Sequence, residues 1–242
     1  MVGRLVLFFL TMGTGLCIYL SGIHFLSRMS ALFSAVCYFA ITNVAWHGAS
    51  FRPDSICAFL SAASIAALLS KRHGLVGATM AGVCLGLSMM FSIKTVLYGS
   101  IFILMFVAQL LSEVDYRTTI RKYLLLIISF LVTSIVLMLV HFNTVSSFAD
   151  LQGSSAQSLN LSAIADKVLK TEQLFPRREW LIRSVLENPV IWLLMLLGIV
   201  LSLYEVTKTA NKTRGVAMLA FASPLLTLFF YRNAFPYYYV FM

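Results

Sequence analysis

Long apolar runs follow one another along this chain, and that repetition constrains its fold more than any other feature. A bilayer's hydrocarbon core is about 30 Å thick, so each helical crossing needs ~20 predominantly apolar residues. Runs of that order occupy residues 2–22, 30–47, 54–70, 74–91, 95–111, 123–142, 189–206 and 215–231. Of the 242 residues, 60% are hydrophobic and only 11% charged, and the mean hydropathy is +0.90. A water-soluble domain of this size has no interior large enough for so much apolar side chain. The pattern predicts an all-α fold: a polytopic transmembrane helix bundle of about eight spans, forming a single transmembrane domain over 1–242.

The net charge of +9 does not point to nucleic acid, because the cations sit singly or in small groups between apolar runs and form no basic patch. Their placement predicts topology instead. The loops after the first, third, fifth and seventh runs carry nine of the 18 Lys and Arg residues: Arg28, Lys71, Arg72, Arg117, Arg121, Lys122, Lys208, Lys212 and Arg214. The opposite side's short segments carry four, namely Arg4, Arg52, Lys94 and Arg232. Positive charge in short loops marks the cytoplasmic side. Arg52, Asp54, Lys94, Arg232 and the long 143–188 segment are therefore expected outside. So is Met1, while Tyr237–Met242 reads as the opening of another apolar run. Both ends suggest a shortened reading of a longer protein. The first run lacks a cleavage region and is read as a span, not as a signal peptide.

Within 143–188, Ser146 to Ser162 is rich in Ser, Gln and Asn and reads as loop. Leu161, Ile164, Val168 and Leu169, and then Trp180, Leu181, Val185 and Leu186 after Pro176, recur near helical spacing. Short extracytoplasmic amphipathic helices at the lipid surface fit that pattern. Gly82-x-x-x-Gly86 predicts a close helix–helix approach, and Pro224 predicts a kink in the last helix. Cys17, Cys37, Cys57 and Cys84 lie inside apolar runs without C-x-x-C spacing and read as small buried hydrophobes. Two N-x-[ST] matches, at Asn160 and Asn211, are short enough to arise by chance.

The chemistry-bearing residues cluster around one helical hairpin, which turns at Lys71-Arg72-His73. Asp54, the only carboxylate in the first 112 residues, opens its first helix, and Lys94 follows its second. Two crossings return the chain to the side it left, so both belong to one face. Pro53 suits a first helical turn and Asp54 complements the positive end of the helix dipole; a well-capped helix start is the plainer reading of the pair. The functional reading is a carboxylate that binds a divalent cation or accepts a proton, with Arg52 beside it to grip phosphate. Lys94 reads either as an interfacial lysine whose ammonium snorkels to water, as a phosphate ligand, or as a partner of Asp54. Tyr231 to Tyr239, with Arg232 and Tyr238, reads as an interfacial aromatic belt or as a wall that stacks on a sugar or isoprenoid. His47, beside Trp46, reads as a polar helix-end residue. No Gly-rich phosphate loop, nucleophile elbow, zinc spacing or nucleic-acid motif occurs in the sequence.

Several of these segments, taken in order, resemble a known family. Arg4 through Leu20, Phe51-Arg52-Pro53-Asp54, the run Ala81 to Leu87 followed by Phe91-Ser92-Ile93-Lys94, and Phe235-Pro236-Tyr237-Tyr238-Tyr239 are similar to motifs of the GT-C-type membrane glycosyltransferases. The likeness is to the bacterial glycosyltransferase family 39 and aminoarabinose-transferase-like enzymes. The resemblance implies many spans, outer amphipathic helices and a bilayer-open cavity in a bacterial inner membrane. It implies transfer of a sugar from a polyprenyl-phosphate carrier to a lipid, glycan or protein acceptor at the extracytoplasmic face of the cell envelope. By the same resemblance Asp54 stands in the active-site cavity near metal or acceptor, and Lys94 holds the donor phosphate. Arg52, Arg232 and Tyr238 line the site, and the partners are a lipid-linked sugar donor and membrane lipids. The family's principal acidic motif follows its first span; this chain aligns after that point, with the N-terminal span and C-terminal part outside it. The competing readings are a transporter or lipid flippase using the same charges, and a non-catalytic membrane protein.

Overall fold

The computed structural model describes residues 2–41, 44, 53–70, 74–112, 116–152, 178–208 and 212–229. Among the described residues the chain is all helical. The α-helices are α1 (Val2–Gly22), α2 (Arg28–Ala40), α3 (Pro53–Leu69), α4 (Gly74–Phe91), α5 (Gly99–Leu111), α6 (Tyr116–Gln152), α7 (Arg178–Glu187), α8 (Pro189–Thr207) and α9 (Lys212–Ala222). Two 3-10 segments, Ile93–Tyr98 and Ser223–Phe229, precede α5 and follow α9.

Among the described residues four helices are long and apolar enough to cross a membrane, over Gly3–Gly22, Gly74–Phe91, Tyr116–Thr144 and Pro189–Thr207, as expected of a membrane protein. Three other expected spans appear as shorter apolar helices, Arg28–Ala40, Ser55–Leu69 and Thr95–Leu111. The 13 residues of α2 rise only about 20 Å at 1.5 Å per residue. The run expected over 95–111 is not one α-helix: its first residues wind as the 3-10 segment, and α5 begins only at Gly99. The last run also changes form, giving way to 3-10 geometry at Ser223, next to Pro224. Proline removes a backbone donor and crowds the preceding turn, which fits the change of winding beside it.

One expectation is corrected. Residues 146–152, read as loop, continue α6 without a break to Gln152. Just before this stretch the Thr144 hydroxyl donates to the Val140 carbonyl at 2.7 Å, which shows how a helix can accommodate a polar side chain. Once a helix is nucleated, each further residue adds a hydrogen bond at little cost. The remainder of the Ser146–Ser162 stretch, and Leu161 to Leu169, lie outside the described residues. The helical spacing after Pro176 does give a helix, α7, tied to α8 by the Trp192 indole N–H and the Ser184 hydroxyl, 3.3 Å apart.

Small residues decide how the helices pack. Lipid tails are as apolar as leucine, so apolar burial alone does not drive helices together in a bilayer, and close backbone approach must do so. The buried face of α4 is Gly77, Ala78, Ala81, Gly82, Leu85, Gly86 and Ser88. Gly82 lies against Ser129, Leu126 and Phe130 of α6, and Gly86 against Phe130 and Thr133, so the sequence signal for close approach is realised on α6. Gly215 of α9 likewise meets the backbone of Val206 and Ser202 on α8. Outside these contacts, α6 and α8 present exposed leucines and valines such as Leu131, Val136, Leu193, Leu196 and Val200, a surface suited to lipid.

Candidate functional site

The hairpin α3–α4 sets the geometry of the proposed site. The Ser64 hydroxyl donates to the Ala81 carbonyl at 2.8 Å, and the Ser88 hydroxyl to the Cys57 carbonyl at 3.3 Å. Seven residues forward along α3 thus match seven back along α4, which makes the pair antiparallel. The N-terminal end of α3, where Pro53 and Asp54 occupy the first turn, therefore adjoins the C-terminal end of α4 and the 3-10 segment that carries Lys94. The backbone positions of residues 54 and 94 share one end of the bundle. The side chains of Asp54 and Lys94 lie outside the described residues, as do Arg52, Arg232 and Tyr238 in full. Trp46 and His47 are outside them too.

Hydroxyls and one thiol fill the junction. Ser88 is within 3.3 Å of the Ser61 hydroxyl and 2.7 Å of the Thr95 hydroxyl, and the Cys57 thiol reaches the Ser88 carbonyl at 3.5 Å. Ser61, Ser64, Ser88 and Thr95 are all buried. Polar atoms withdrawn from water are costly unless paired, and here each has a partner. All four cysteines are free, Cys17 and Cys57 buried and Cys37 and Cys84 half-buried. Among the described residues no three His, Cys, Asp or Glu side chains gather as a metal site would require. Asp54, the residue named for a divalent cation, is not among the side chains described.

Beside this junction lies a cavity of about 740 Å³, which falls in the range of small-molecule and cofactor sites. Its walls come from α1, α2, α3, the start of α5, α8 and α9, through side chains such as Ile18, Phe33, Ile65, Ile101, Met195 and Phe221. Thr14, Ser21, Ser30, Ser34 and Tyr38 supply scattered hydroxyls, and among the described residues no Asp, Glu, Lys, Arg or His lines it. The described walls suit hydrocarbon. Two wall residues link it to the charged end: Ala58 is four residues past Asp54 on α3, and Tyr98 is four past Lys94 on the 3-10 segment.

Sequence reasoning found the shared end; the resemblance implied a cavity but named none of the walls seen here, which are distant in sequence. A partial signal was present in Ala58 and Ala62, small residues four apart on α3 that both line the cavity. No family model, curated protein or solved structure matches the chain.

Proposed function

We propose that the chain is a GT-C-type membrane glycosyltransferase that moves a sugar from a polyprenyl-phosphate carrier to a lipid, glycan or protein acceptor. In this reading about eight segments cross a bacterial inner membrane, with the loops bearing nine cations inside. The end shared by residues 54 and 94 then faces outward. The observation that carries the reading is the cavity whose described walls are apolar and include Ala58 and Tyr98, each four residues in from a charged position. A polyprenyl phosphate has the matching polarity, with a long apolar chain ending in an anion. Lys94 and Arg52 hold the phosphate as cations; Asp54 takes the acceptor's proton or binds a divalent cation; Arg232 and Tyr238 close the outer wall.

A second reading, a lipid flippase, draws on a different observation. The 3-10 segments Ile93–Tyr98 and Ser223–Phe229 touch each other, and Ser223 and Ser100 hydroxyls lie 2.8 Å apart. Interrupted helices that meet are common at transporter binding sites. The two readings differ in product: a transferase consumes the sugar–phosphate bond, whereas a flippase moves the carrier intact.

The test is binding and turnover by the full chain in lipid nanodiscs. Polyprenyl phosphate should bind saturably and the neutral polyprenol at least roughly tenfold more weakly, the difference a charge-assisted contact makes. Ala62→Phe, which pushes an aromatic ring into the cavity, should weaken both ligands with the melting temperature little changed. Equal affinity for alcohol and phosphate would reject the anion site, and unchanged affinity in Ala62→Phe would reject the cavity as the place of the tail. Movement of a labelled sugar carrier without cleavage would favour the flippase.

A further inference from the structure

The junction beneath Lys94 has a hydrogen-bond balance that assigns it a task. A serine hydroxyl has one proton to give and two lone pairs to receive. Ser88 gives its proton to the Cys57 carbonyl, which can only accept. The Thr95 and Ser61 hydroxyls lie 2.7 and 3.3 Å from the same oxygen, and in each of these pairs either hydroxyl can be the donor. One proton and two lone pairs suffice for all three contacts, and Ser88 is completely buried. Three segments meet on this one oxygen: α3 through Cys57 and Ser61, α4 through Ser88 itself, and the 3-10 segment through Thr95. The Thr95 backbone N–H also closes the turn onto the Ser92 carbonyl at 3.1 Å, so the hydroxyl and the amide fix this residue from two sides.

Helical packing alone does not require this arrangement. In an α-helix a threonine hydroxyl commonly returns to its own chain's i−4 carbonyl, as Thr11, Thr14 and Thr79 do here. Thr95 instead spends its hydroxyl on another element, immediately after the position that carries Lys94. We propose that Ser88 and Thr95 are positioning residues, which hold the 3-10 segment bearing Lys94 in register with the α3 end bearing Asp54. They do not touch the ligand. This inference rests on the reading of Lys94 as a phosphate ligand and adds to it what orients that ligand.

The experiment measures polyprenyl phosphate affinity and melting temperature together, in Thr95→Val, Thr95→Ser, Ser88→Ala and Lys94→Ala. Valine matches threonine in shape and replaces only the hydroxyl by a methyl group. Ser88 keeps its bond to Cys57, so Thr95→Val should fold and melt within a few degrees of the parent. Affinity should fall roughly tenfold in Thr95→Val and in Ser88→Ala, as for the loss of an aligned charge-assisted contact, and return in Thr95→Ser, which restores the hydroxyl. Parental affinity in Thr95→Val and Ser88→Ala, with binding lost in Lys94→Ala, would overturn the positioning role and leave the phosphate reading intact. Parental affinity in Lys94→Ala as well would remove both. Failure of Thr95→Ser to recover affinity would also count against positioning, because a packing defect and not the hydroxyl would then be responsible.

Discussion

Gly82→Leu should lower the free energy of unfolding by about 3 kcal/mol, the upper end of ordinary overpacking penalties. A side chain at position 82 would meet the Ser129 hydroxyl and the Leu126 carbonyl, with the Phe130 backbone nitrogen 2.9 Å from its Cβ. Two of those three atoms belong to the α6 backbone and cannot rotate away. The third is already committed, since the Ser129 hydroxyl lies 2.6 Å from the Leu125 carbonyl. The substitution must therefore separate α4 from α6, and close approach of small residues is what holds helices together where lipid competes for apolar surface. Gly198→Ala is the contrasting case, because a Cβ there meets nothing within 4 Å. It should be neutral or gain up to about 1 kcal/mol from helix propensity. Chemical unfolding in detergent micelles, followed by circular dichroism, measures both. Equal midpoints for Gly82→Leu and the parent would mean that α4 and α6 do not pack as described.

Lys94→Ala should weaken polyprenyl phosphate binding by roughly a hundredfold, the loss expected when a desolvated charge partner is truncated at about 2–3 kcal/mol. Asp54→Asn is expected to act on the other kinetic parameter. Donor affinity should stay as it is, while turnover falls by about 10²–10⁴, the usual worth of a positioned proton acceptor. Asparagine keeps the size of the side chain and can still hydrogen-bond near a helix start. Only the helix-dipole attraction is lost, about 0.3–1 kcal/mol at an exposed helix end. A small stability change with full turnover would therefore leave Asp54 as a helix-start residue and nothing more. Binding isotherms and single-turnover transfer with a labelled carrier separate the two substitutions.

The long elements were legible because their ends are punctuated. Apolar runs placed at 2–22, 74–91 and 189–206 correspond to Val2–Gly22, Gly74–Phe91 and Pro189–Thr207. Gly74, with φ +47, takes a left-handed conformation that suits a chain entering a helix from a tight turn, and Pro189 starts its helix as proline does. Hydropathy failed where it is blind to hydrogen-bond pattern. Ile93, Thr95 and Val96 are as apolar or as β-branched as residues inside a span, so nothing in their composition announced a 3-10 winding that ends at Tyr98. The same blindness hid the C-terminal turns of α6, whose Ser146 and Ser147 resemble loop residues in composition but continue a helix already formed. For the site, the chain's two-crossing logic sufficed to bring positions 54 and 94 to one end. The walls of the cavity required knowledge of which faces of eight segments turn toward one another, and no local pattern contains that. The hydroxyl junction was equally hidden, because Ser61, Ser88 and Thr95 are individually unremarkable in an apolar run.

The most direct test of the account is the sidedness of the two charged positions. Single cysteines would be introduced as Asp54→Cys, Lys94→Cys and Lys71→Cys, with the four native cysteines, buried or half-buried in helices, setting the background. Labelling intact cells with a membrane-impermeant maleimide should modify positions 54 and 94 without permeabilisation, and position 71 only after it. Modification of 54 and 94 from opposite sides of the membrane would contradict the shared entrance on which the transferase reading stands.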